Sequence, residues 1–244
     1  MRKSKICTIL AGLLFCSTSF GQKSELQQID SILTNSYEAT YHLADHEWLS
    51  YHDVSEFTEK VLNYLANPIT FDNEFDSLTK YFTIKKSPDK KIVFYSWGDE
   101  NRGVRHTATC VAQFKSDKGN IIVTQISFED DYTDSFIYAV YEIISNKETF
   151  YLTFAWGSYG GGHEHRAVRL FQINGDTLQQ RNVFADTKVL GIEHRRSYEK
   201  NLTFNQKKNQ IEYNEFKFNE EMGFYEPTGE IITLEFNNGI FTKK

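Results

Sequence analysis

"YLTFAWGSYGGGHEHRAVRLFQI" occupies residues 151–173. An apolar run ends in Trp156-Gly157, a glycine run follows, and two histidines flank a glutamate before the apolar pattern resumes. Part of this arrangement, Trp-Gly followed by Gly-x-x-His, stands about 59 residues earlier, in "IVFYSWGDENRGVRHTATCVAQF" (92–114), where "DENR" takes the place of the glycine run. Aligned without a gap, Trp97 matches Trp156, Gly98 matches Gly157, Gly103 matches Gly162, and His106 matches His165. Ala108 matches Ala167, Gln113 matches Gln172, and apolar positions such as Val93 and Leu152 agree. The pattern predicts an internal duplication: a strand ending in Trp-Gly, a loop, a glycine, and a returning strand. Glycine supplies backbone angles that a side chain forbids, and the tryptophan can cover the loop.

Outward from this pair, residues alternate with period two and turn signals recur, which predicts antiparallel strands. Expected strands are 91–97, 105–115, 120–128, 135–144 and 149–156, then 166–173, 202–205, 210–218, 230–236 and 240–243. Asn174-Gly175 and Asn238-Gly239 are tight-turn dipeptides. Connections this short cannot carry parallel crossovers. Repeat units are expected near 91–149 and 150–208, and a fainter third from about residue 209, without the Trp-Gly pair.

Before residue 84 the spacing is helical. Leu26, Ile29, Leu33 and Tyr37 share one helical face, as do Val54, Phe57, Val61 and Leu65 ahead of Pro68. A third short helix is expected over 71–82 from Phe71, Phe75 and Leu78. The fold class expected is therefore α+β. A helical segment (22–83) leads into a mostly antiparallel β domain (84–244), built as a meander, sandwich or partly closed barrel.

Residues 1–21 read as a secretory signal: a basic start, an apolar stretch, then Ser19 and Gly21 before a cleavage point at Gln22. Lipid anchoring through Cys16 is disfavoured by Phe15, because a small residue is expected there. No further segment is apolar enough to span a bilayer. The expected location is periplasmic or extracellular. Loss of Arg2, Lys3 and Lys5 would leave 24 basic against 33 acidic residues, a net charge of −9. Such a chain is a poor partner for nucleic acid. Cys110 is the one cysteine outside the leader, so no internal disulfide is expected, and its place mid-strand reads as core.

The chemistry-bearing residues are few. His163 and His165 alternate, and His106 joins them if the copies pack side by side; neutral imidazoles suit zinc or copper. His42, His46 and His52 lack the HExxH spacing. "WGSYG" lacks the first glycine of a nucleophile elbow and precedes a strand instead of a helix. "GSYGGG" lacks the Lys and Ser/Thr of a phosphate loop. The acidic stretch "FEDDYTDS" (128–135) lacks the order of a calcium loop and reads as a solvated turn. Trp97, Trp156 and Tyr159 fall at expected loop edges, where aromatic rings suit flat ligand faces.

The expectation is an exported, non-enzymatic binding or interaction protein. Its candidate surface is Trp97, His106, Trp156, Tyr159, His163 and His165, and its partner a small molecule, a glycan or an envelope protein. The alternatives are an envelope or polymer hydrolase using a His-bound metal or carboxylates, and a purely structural envelope protein.

Overall fold

A computed structural model describes residues 4–41, 51–98, 107–128, 130–133, 135–184, 187–199 and 201–244. Side chains are described from Lys23 onward, those of Tyr51 and His52 excepted. His42, His46, Gly103 and His106 lie outside the described residues. The chain divides into two compact units, Met1–Tyr81 and Phe82–Lys244. No described helix is long and apolar enough to cross a membrane.

The first unit holds helices α1 (Ser4–Tyr41) and α2 (Tyr51–Leu65). Their apolar stripes meet through Ile29, Leu33, Tyr37, Phe57, Val61 and Leu65, all buried. The Tyr37 and Tyr81 rings stack at 4.6 Å. Residues 71–82 do not form the expected helix. The chain makes two single 3-10 turns, Pro68–Thr70 and Leu78–Lys80. The cause is Asp30 of α1, whose buried carboxylate accepts the N–H groups of Asp76 (3.1 Å), Ser77 (2.8 Å) and Leu78 (2.8 Å). A carboxylate holding three consecutive amides competes with helical hydrogen bonding. Phe71, Phe75 and Leu78 are buried all the same.

Among the described residues of the second unit, the regular elements are all strands. Strands β1 (Thr83–Lys86), β2 (Ile92–Gly98), β3 (Ala108–Lys115) and β4 (Ile121–Gln125) form the first sheet, in chain order. Strands β5 (Phe136–Ser145), β6 (Glu148–Gly160), β7 (His163–Asn174) and β8 (Thr177–Arg181) form the second, with β9 (Val189–Arg195) also on β7. Strands β10 (Leu202–Asn205), β11 (Gln210–Asn219), β12 (Phe224–Asn237) and β13 (Ile240–Lys243) form the third. All pairings between these strands are antiparallel. The molecule is thus an α+β fold of two helices and three antiparallel sheets, mostly strand. All ten expected strands have counterparts here; β1, β8 and β9 are additional.

The middle sheet is apolar on both faces. One parity, with Tyr151, Ala155, Ala167 and Phe171, joins Ile92, Phe94, Ala112 and Phe114 of the first sheet in one core. The other, with Leu152, Phe154, Val168 and Leu170, joins Ile211, Phe236 and Phe241 of the third sheet in a second core. This explains why β6 and β7 read as nearly continuous apolar runs.

The hairpins that share the Trp-Gly pair differ in register. Trp97 faces Thr109 across β2–β3, whereas Trp156 faces Arg166 across β6–β7. Relative to the alignment this is a slip of two residues, which leaves every side chain on the same face. Gly98 is required by close packing: a Cβ there would strike the Thr107 carbonyl and the Phe136 ring.

Replacing Asp30 with Ala leaves three amides without their acceptor. The helical unit should lose about 2–4 kcal/mol, with faster hydrogen exchange at Asp76, Ser77 and Leu78. Unchanged exchange at these amides would show that the carboxylate does not hold the segment.

Candidate functional site

The glycine run is a turn requirement. Gly160, Gly161 and Gly162 have φ of 90°, 60° and 87°, which favour glycine at each place. The rest of the hairpin tip is held by polar bonds. The Ser158 hydroxyl donates to the His163 carbonyl (3.2 Å) and accepts from Arg196 Nη2 (3.0 Å). Arg196 Nε also reaches Glu164 at 2.9 Å. Ser158 is fully buried, so it is placed to lock the tip and not to attack a substrate.

The candidate residues separate. His163 stacks on Phe224 at 4.4 Å. His165 is fully buried two positions along, stacked on Tyr159 at 4.6 Å, with the Tyr132 ring at 5.1 Å. Trp156 is half-buried against Phe136. Trp97 is fully buried against Phe82, so its ring serves the core. Among the described residues, no group of three or more His, Cys, Asp or Glu side chains is placed to hold a metal ion. Cys110 lies beside Ser96 Oγ (3.3 Å), and burial pushes its thiol up to about 11.

His165 instead belongs to a network that sequence reading passes over. The segment between β4 and β5 carries the acidic stretch expected to be solvated. It is pinned from the middle sheet. Arg169, on β7 and fully buried, grips Asp130 through Nε (3.0 Å) and Nη2 (2.6 Å). Its Nη2 also donates to the Tyr132 carbonyl (2.8 Å), and its guanidinium lies 3.8 Å from the Phe128 ring centre. The Tyr132 hydroxyl donates to Glu193 of β9 (3.1 Å), and the Tyr159 hydroxyl to the Asp131 carbonyl (2.8 Å). Tyr132 rests on Gly191, where a Cβ would overlap the ring. Ser135 donates to the Tyr132 carbonyl (2.6 Å) and lies 3.0 Å from His165 Nε2. With its proton so committed, Ser135 accepts from Nε2–H. That is the reverse of the direction a nucleophilic serine needs.

One signal pointed to this network. Arg169 sits inside a run apolar at both parities, and a charge there must find a partner. The partner, Asp130, is far off in sequence and hidden among other acids.

The pinned segment walls a cleft of about 930 Å³. Ser127, Asp130, Asp131 and Tyr132 line it, as do Thr124 and Gln125 of β4. Leu178, Gln179 and Gln180 of β8 with Thr187, Lys188 and Val189 complete the lining, and Ile126 and Phe171, which also pack in the first core, give it an apolar floor. Amides and hydroxyls both donate and accept, and exposed Asp131 and Lys188 add one charge of each sign, so this lining suits a polar ligand surface with some apolar content. Asp130 brings no free charge, because Arg169 holds it.

Burial, followed by Arg169, His194 and Arg166, pulls the His165 imidazole down to about 3, while Asp130 opposes the shift. Neutral His165 is thus the folded form. Its contribution to stability is full above about pH 6.5 and is lost as pH falls toward 3, at about 1.4 kcal/mol per pH unit. His165→Asn should flatten the stability profile between these limits relative to the parent, measured by denaturant melts at each pH. Parallel profiles would show that His165 is not buried neutral. Comparison of the chain with protein-family models, curated proteins and solved structures finds no match.

Proposed function

We propose that the chain is an exported, non-enzymatic binding protein whose ligand site is the cleft between β4 and β8–β9. The carrying observation is the cleft itself, about 930 Å³, walled by a segment fixed through buried polar bonds. A preformed concave surface with a few placed polar groups and an apolar floor is the usual form of a ligand site. Of the aromatic and histidine candidates at the hairpins, Trp97 and His165 are buried, so they support the scaffold and leave recognition to the cleft. The export reading rests on the leader-like residues 1–21.

We also infer that β2–β3 and β6–β7 descend from one duplicated unit. Each hairpin forms the central pair of a four-strand meander; β2 ends in its Trp-Gly pair, and β6 carries its pair three residues before its end. The two-residue register difference preserves faces, as divergence of one unit requires.

Residues 22–244 should bind a member of a glycan array or of a pool of peptides about twelve residues long. Gln179→Arg and Ser127→Arg, both at exposed cleft positions, should weaken that binding at least about tenfold and change stability by less than about 0.5 kcal/mol. Loss of binding in His163→Ala, with both cleft variants unaffected, would move the site to the hairpin tip. Sequencing the N-terminus of exported chain should begin at Gln22; a chain starting at Met1, or a lipidated Cys16, would refute the leader assignment.

A further inference from the structure

We infer that the cleft takes an extended segment of another polypeptide, which adds as a strand to the outer edge of β4; this rests on the cleft being the ligand site. β4 is the last strand of its sheet. Ile126 N–H bonds the Cys110 carbonyl at 2.9 Å. Antiparallel pairing alternates, so Ile122, Thr124 and Ile126 turn their backbone groups toward β3. The N–H and C=O groups of Ile121, Val123 and Gln125 turn outward, and among the described residues no strand pairs with them. The row leads into the cleft, since Thr124 and Gln125 line it.

An open edge of this kind is normally guarded by charge, proline, a bulge or shortness. The other terminal strands are guarded. β1 carries Lys85 and Lys86, and β5 carries Glu142 and a bulge between Ile137 and Ala139. β8 carries Arg181, β9 carries Glu193 and Arg195, and β13 carries Lys243. β10 has only four residues. β4, "IIVTQ", has no charge, no proline and no register shift. Its β-branched residues favour strand pairing. In the same cleft, Leu178 and Val189 offer apolar contacts, and Gln179 offers an amide that can bond a peptide group. A bound segment would place alternate side chains toward that apolar floor, giving main-chain affinity with side-chain selectivity.

The test uses residues 22–244 and a phage-displayed library of random peptides about twelve residues long, with a glycan array run in parallel. The best selected peptide is remade with single N-methyl groups along its backbone. The expected result is loss of binding by about tenfold or more at alternate N-methyl positions only. Gln125→Pro removes an outward N–H and no ladder bond, a placement that edge strands tolerate. It should abolish peptide binding with stability retained. If that variant fails to fold, the N-methyl series on the unaltered protein decides alone. Peptide binding indifferent to N-methylation and to Gln125→Pro overturns strand addition and leaves the cleft reading standing, as does binding of glycans alone. A concentration-dependent dimer that Gln125→Pro dissolves, with no peptide bound, overturns it in favour of a second copy at this edge. Failure of both libraries overturns the cleft reading as well.

Discussion

The grip of Arg169 on Asp130 organises the middle of the β unit. A guanidinium placed in an apolar sheet face carries a large desolvation cost, which only close, multiple hydrogen bonds can offset. Two bonds to one carboxylate and a third to the Tyr132 carbonyl do this, and the Phe128 ring covers the remaining face. The consequence is geometric. The chain must cross from the first sheet to the second along the one path that brings Asp130 to the guanidinium. Removing either partner strands the other, at a cost of about 3–5 kcal/mol. The pair is thus better understood as fixing the path of the connection than as a net source of stability.

The same constraint sets the cleft. Tyr132 is fixed at three points: its carbonyl by Arg169 and Ser135, its hydroxyl by Glu193, its ring by the space over Gly191. A wall so determined need not be ordered by a ligand, which lowers the entropy cost of binding. Buried His165 adds a condition, since burial and the nearby Arg169 guanidinium both disfavour its charged form while the fold is intact.

Much of the fold could be read from residue order because alternation and turn chemistry are local. Val93 with Tyr95, and Leu152 with Phe154, mark strands, and Asn174-Gly175 closes the β7–β8 hairpin. Edge strands such as "TIKK" and "TLQQR" are not legible as strands, because their mostly polar residues resemble loop. The helix expected over 71–82 has the right apolar spacing. It yields to Asp30, more than forty positions away, which takes its amides. The site was hidden for the same reason. "FEDDYTDS" looks solvated until Arg169 is seen beneath it, and Trp97, at an expected loop edge, is core.

Cys110 shows another side of this packing. It is the only cysteine in the β unit, beneath the first sheet and against the middle one. Its thiol is both inaccessible and held protonated by burial, so neither oxidant nor alkylating agent meets a thiolate while the sheets stay together. Reaction must wait for the layers to part. The rate at which this sulfur is modified is therefore a clock for opening of the first core, kept by a residue that takes no part in binding.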